Sequence, residues 1–206
     1  MMEKDDEFLK RAADLFLEVG AKTLTMDDVA KEFGMSKKTL YQKYRNKEAL
    51  LEDVLNYKLK YVIHKIEALD RKVENAIERM FCRDEAIDQA VKSNQSVMIR
   101  QLIRYYPTIF YSHMKRFAEK FSQVMVRNIE KGRAQGLYRT DFNAELYSKF
   151  FLQLAMSYDS SPFFEEEKSE RMDFMQEVIL MYIHAITTEE GKKELIRINK
   201  QNNETN

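Results

Sequence analysis

The sequence predicts an all-α protein, and three observations predict it. Glycine and proline are scarce, 5 and 2 among 206 residues, whereas strand-rich chains need the turns that these residues supply. Leu, Met, Glu, Lys and Ala, all good helix formers, are abundant. Apolar residues recur at intervals of three and four along most of the chain, the period of one helix face. At 44% apolar the chain can build a substantial core, and at 33% charged much of its surface is wetted charge. The expected architecture is a three-helix N-terminal domain followed by a larger helical domain, about nine helices in all.

Taken in order, Phe8, Ala12, Leu15, Phe16 and Val19 place one apolar face on a helix over residues 5–19. Gly20 ends that helix at a position suited to a left-handed backbone. Thr25 caps the next helix, with Asp28 in its first turn and Val29, Ala30 and Phe33 as its buried face. Gly34 and Met35 then make a tight turn, and Ser36 caps a third short helix whose Leu40 and Tyr44 point inward. Two short helices joined this way form a helix-turn-helix. Asn46 caps a long helix from Lys47, with Leu51, Val54, Leu55, Leu59, Val62, Ile63 and Ile66 at helical spacing. Further helices are expected near 72–92, 95–105, 108–135, 143–157 and 168–187. Pro107 separates two of them, Gly132–Gly136 ends a third, and Asp141 or Asn143 caps the next. Asp159–Pro162 is expected as a loop, and the polar stretch 199–206 as a disordered tail. Three regions follow: residues 1–50, 51–198 and 199–206.

Charge and rare residues narrow the function. The net charge is zero, which disfavours a protein that coats nucleic acid indiscriminately. Yet Lys37, Lys38, Lys43, Arg45 and Lys47 fall between Ser36 and Lys47 with no acid among them, a local anion contact on a neutral body. The single cysteine, Cys82, cannot form an intrachain disulfide, and a reducing compartment is expected. The start MMEKDDE is acidic rather than apolar, and no apolar run could span a bilayer. A cytoplasmic protein without a membrane partner is expected. His64, His113 and His184 fall on different expected helices, without metal-ligand spacing. There is no glycine-rich phosphate loop, and Glu165-Glu166-Glu167 reads as a solvated run. No enzymatic activity, metal or cofactor is expected.

The stretch from Phe8 to Val54 resembles the N-terminal DNA-binding domain of the TetR/AcrR family of bacterial regulators. Its core is LTMDDVAKEFGMSKKTLYQKYRNKEALL, Leu24–Leu51. The resemblance rests on Thr25, Val29-Ala30, Gly34, Ser36, Thr39-Leu40-Tyr41, Tyr44 and Lys47 in this order and spacing. A recognition helix over Ser36–Tyr44 would enter the major groove with Lys37, Lys38 and Tyr41 leading and Lys43 further along. Lysine reaches guanine or a phosphate, the Tyr41 hydroxyl reaches a phosphate, and Thr25 sits at a helix N-terminus that favours one. The resemblance implies backbone contacts from Thr25, Thr39, Tyr41 and Lys47, and sequence choice by Lys37, Lys38 and Lys43. Ser36 completes the candidate set.

For the remainder, the resemblance implies a helical domain that binds a small effector and forms a homodimer through its last two long helices. Here those are 143–157 and 168–187. The candidate interface is Leu146, Phe150, Leu154, Met175, Ile179, Tyr182 and Ile183, since helices apolar all round must be buried on more than one side. A dimer sets two recognition helices about 34–36 Å apart for two half-sites of double-stranded operator DNA. The middle of the chain is rich in Met and aromatics, which suit an adaptable apolar pocket. Candidate lining residues are Met98, Gln101, Tyr105, Phe110, His113, Phe117 and Phe151, with a polar anchor from Gln101, Arg104, His113 or Gln153. The expected effector is small and apolar or aromatic. The expected function is a ligand-responsive repressor on a palindromic operator. The alternative is a helical protein-interaction module, or an activator, with secondary DNA binding.

Overall fold

The computed structural model describes residues 2–82, 97–164 and 170–204, and all regular structure among them is helical. The helices are α1 (Met2–Val19), α2 (Met26–Glu32), α3 (Lys37–Lys43), α4 (Lys47–Lys72), α5 (Ala76–Phe81), α6 (Val97–Tyr105), α7 (Pro107–Ala134), α8 (Ala144–Ser160), α9 (Arg171–Ile186) and α10 (Glu189–Glu204). A short 3-10 turn covers Pro162–Phe164. The acidic run at 165–167 lies outside the described residues.

The described residues cluster into two compact units, 2–64 with 97–117 and 65–82 with 118–204. The first unit extends past residue 50. Its core joins Phe8, Ala12 and Phe16 of α1, Val29 and Ala30 of α2, Leu40 of α3, and Leu50, Leu51, Val54 and Leu55 of α4. Met98 and Leu102 of α6 and Ile109 of α7 complete it, with α6 packed against α1. Each fully buried Leu or Met side chain stabilises the fold by roughly 1.5–3 kcal/mol. The helix-turn-helix therefore depends on chain drawn from well beyond it in sequence.

In the second unit α9 packs against α8 and α5, and α10 packs against α5. Phe151, Val178, Tyr182, Ile183, Ile186, Leu195 and Ile198 share one core. The end of α7 is held close: a Cβ on Gly132 would drive into the Tyr138 ring. The buried Tyr138 hydroxyl donates to the Ala76 carbonyl at 3.0 Å. Past Gly136 (φ 71°) the chain pairs with the α9–α10 junction. Arg139 N donates to Ile186 O at 2.8 Å and Thr188 N to Leu137 O at 2.9 Å, a single antiparallel bridge.

Three differences from the sequence reading have local causes. Helix α10 occupies 189–204, where no helix was expected and a disordered tail was placed at 199–206. The Thr188 hydroxyl accepts from Gly191 N at 3.1 Å, opening the helix. Lys192–Glu189, Lys193–Glu190 and Arg197–Glu194 pair along it, and Leu195 and Ile198 bury its inner face. The helix expected over 72–92 starts at Ala76 instead, because Asn75 Oδ1 accepts from Ile77 N and Glu78 N. It closes at Phe81, and 83–96 lies outside the described residues. The loop expected at 159–162 is taken up by the end of α8 and the 3-10 turn.

Candidate nucleic-acid interface

Two capped starts position the candidate residues. The Thr25 hydroxyl accepts from Asp28 N at 3.1 Å, and Asp28 Oδ2 accepts from Thr25 N at 2.9 Å and from the Thr25 hydroxyl at 2.6 Å. These bonds, the side-chain one first, hold the Asp28 carboxyl below the usual carboxylate range. Gly34, at φ 61°, makes the turn between α2 and α3, and Met35 N closes it on Ala30 O at 2.9 Å. Ser36 Oγ then accepts from Thr39 N at 3.1 Å and shares a hydrogen with Thr39 Oγ1 at 2.8 Å.

Helix α3 buries one side chain, Leu40. Lys37, Lys38, Thr39, Gln42 and Lys43 are exposed, and Tyr41 keeps 48% of its surface. The helix is thus anchored by Leu40 and by the following Tyr44, 4% exposed, while its other faces stay open. Two of its lysines are engaged. Lys37 Nζ pairs with Asp27 on α2, and Lys43 Nζ lies 4.7 Å from the centre of the Phe8 ring. Asp27 escaped the sequence reading because no helical spacing rule links residues across a turn.

Lys47 is engaged within the chain. Its ammonium donates to Lys22 O in the α1–α2 turn at 2.9 Å. Burial, and then the charge of Lys22, lower its pKa. Gln101 holds the same turn: its Oε1 accepts from Lys22 N at 2.5 Å and its Nε2 donates to Thr23 Oγ1 at 3.2 Å.

The seven candidate pocket residues are not brought together by one core. Met98, Gln101, Tyr105, Phe110, His113 and Phe117 belong to the first unit, and Phe151 to the second. Met98 is core, 1% exposed, and the Gln101 amide is engaged by the turn just described. Phe151 stacks on Phe121 at 6.1 Å and meets Tyr182 edge-on at 4.9 Å. His113 differs: Nδ1 is buried without a hydrogen-bond partner among the described residues, and burial, then Arg116, push its pKa down to about 4. A charged cleft of 330 Å³ on the second unit is lined by Glu67, Asp70, Arg71, Arg127, Asn128 and Lys131, none of them a candidate.

The candidate dimer residues divide by burial. Leu146 and Phe150 are 47% and 49% exposed, and Leu154, Met175 and Ile179 are half-buried. Tyr182 (4% exposed) and Ile183 (0%) are buried in the chain's own core. On that helix the large apolar side chain of Met181 is 53% exposed.

Comparison with known proteins bears on this geometry. Residues 8–54 match the family described as bacterial regulatory proteins, tetR family. The match covers the helix-turn-helix with α1 before it and the start of α4 after it. The matched span holds every capping and turn residue described above from Thr25 to Asn46. Among curated proteins the chain is similar to the HTH-type transcriptional repressor KstR2 of Mycolicibacterium smegmatis, 24% identical over 157 residues, covering 70% of this chain and 72% of that one. Solved structures share the fold beyond the matched span. A transcriptional regulator from Saccharomonospora viridis in complex with choline aligns with TM-score 0.68 at 16% identity, over 91% of this chain and 100% of that one. One from Cytophaga hutchinsonii aligns with TM-score 0.67 at 18% identity, over 90% and 99%. The ketosteroid transcriptional regulator KstR2 of Mycobacterium tuberculosis aligns with TM-score 0.52 at 18% identity, over 89% and 94%. Among the described residues no helix is long and apolar enough to cross a membrane.

Proposed function

We propose that this chain is a ligand-responsive transcriptional repressor, bound as a homodimer to a palindromic operator and released by a small effector. The observation that carries the reading is α3 itself, a capped helix that buries Leu40 alone. Lys37, Lys38 and Lys43 choose sequence from the major groove, where lysine reaches guanine O6 and N7. Lys37 exchanges Asp27 for the DNA as it docks. Thr25, Ser36, Thr39, Tyr41 and Lys47 hold the phosphate backbone, which sets register without reading sequence.

Residues 1–50 grip DNA in this reading, and 51–198 sense the effector and dimerise through the outward faces of α8 and α9. The unpartnered His113 Nδ1 supports a polar anchor for an otherwise apolar or aromatic effector, a character in keeping with a relative named for ketosteroids. Release requires the effector to prefer the non-binding arrangement by several kcal/mol, roughly 5 for a complete switch. The protein acts in the cytoplasm, where its DNA is.

The test is a fluorescence anisotropy titration against DNA from upstream of the gene, with a scrambled duplex beside it. Operator binding should exceed scrambled binding by at least about a thousandfold and weaken steeply with salt. Lys37→Ala with Lys38→Ala should abolish the preference and leave the oligomeric state intact. No binding to any duplex, including pools from random-sequence selection, would leave the helical interaction module as the better account.

A further inference from the structure

Three cations and two tyrosines meet at one edge of the helix-turn-helix, within the first unit. Lys22 holds its ammonium 5.3 Å from the centre of the Tyr105 ring, and the Arg104 guanidinium lies 5.4 Å from the same centre. Lys47 donates to Lys22 O and lies 5.9 Å from the centre of the Tyr106 ring. The placement is fixed by main chain, because Gln101 ties the α1–α2 turn to α6 through Lys22 N and Thr23. A side chain on Gly20 would collide with that Gln101 amide, at 2.6 Å from its Oε1.

Lys22 and Arg104 are exposed, as is Tyr105. Among the described residues neither cation has a carboxylate partner. Like charges gathered this closely repel, and an aromatic face offsets only part of that repulsion. An arriving anion relieves it. Lys22 also precedes Thr25 by three residues, and Thr25 holds a phosphate in the reading above.

We propose that Lys22 and Arg104, steadied by the Tyr105 ring, form an additional phosphate contact for double-stranded operator DNA, flanking the segment gripped by α3. The proposal rests on the reading that α3 binds DNA. The DNA backbone then holds the α6–α7 turn as well as the helix-turn-helix, so two parts of the chain far apart in sequence share one strand of phosphates. Such a contact adds affinity without sequence information.

The experiment compares Lys22→Gln, Arg104→Gln and Arg104→Lys with the unaltered protein, on operator and scrambled duplexes at several salt concentrations. Lys193→Gln, an exposed residue of α10, serves as the control. Glutamine keeps an unbranched polar side chain and removes the charge, and melting temperatures verify that each variant is folded. Each glutamine variant should lower the log–log salt slope by about one per bound copy. It should weaken both duplexes by the same factor. Arg104→Lys and Lys193→Gln should keep the slope. Unaltered slopes in both Lys22→Gln and Arg104→Gln, with operator binding intact and sensitive to Lys37 and Lys38, would overturn this inference and leave the α3 reading standing. No binding of the unaltered protein to any duplex would overturn both.

Discussion

His113 shows how much a single residue of this chain controls. The residue is half-buried and its Nδ1, itself buried, lacks a partner among the described residues; burial, then the Arg116 charge, push its pKa down to about 4. In the unfolded chain it titrates near its ordinary value, about 6.5. Between these values the unfolded state binds the extra proton, so stability is lost as pH falls from about 6.5 towards 4. Urea titrations should find about 2 kcal/mol less stability at pH 5 than at pH 7.5 from this residue alone. His113→Gln should flatten that dependence, and an unchanged pH profile in the variant would contradict the assignment. At this scale the sequence was informative where partners are near in chain. Thr25 with Asp28, Ser36 with Thr39 and Asn46 with Ala49 are all capping bonds spanning three residues. It was silent where partners are remote, as for Lys37 with Asp27 and Lys22 with Gln101.

At the scale of elements, starts were more legible than ends. A cap needs one short polar side chain at a fixed position, whereas a helix stops wherever packing stops supporting it. Helix α10 is the instructive case. Thr188, the acids Glu189 and Glu190, and the pair Leu195 and Ile198 are ordinary helix signals, but the polar run from Asn199 obscured them. Leu195 is 1% exposed, so Leu195→Ala removes a core side chain and should cost about 2–5 kcal/mol. The urea midpoint measures that loss. A change below about 0.5 kcal/mol, the scale of ordinary surface substitutions, would mean that α10 does not stabilise the second unit. Helix α3 makes the opposite point. It is short, buries one residue, and owes its persistence to its caps and neighbours rather than to its own length.

For the whole molecule, apolar patterning foretold which helices are buried but not what buries them. Tyr182 and Ile183 carry the same sequence signal as Leu146 and Phe150, yet the first pair is internal and the second open. A stripe of apolar residues does not distinguish a neighbour in the same chain from a second copy. Under the homodimer reading, Phe150→Glu places a charge in the interface and should convert a dimer to a monomer in light scattering, with operator affinity lost and the melting of the monomer little changed. A persistent dimer would move the interface elsewhere. The first unit carries a different consequence. Its core is closed by Met98, Leu102 and Ile109, which the ribosome delivers long after Tyr44. The recognition segment is therefore not a portable cassette. A recombination event that swapped the first 50 residues between relatives would separate α1 from α6, and lineages could exchange DNA specificity in that way only where both sides of this packing had diverged little.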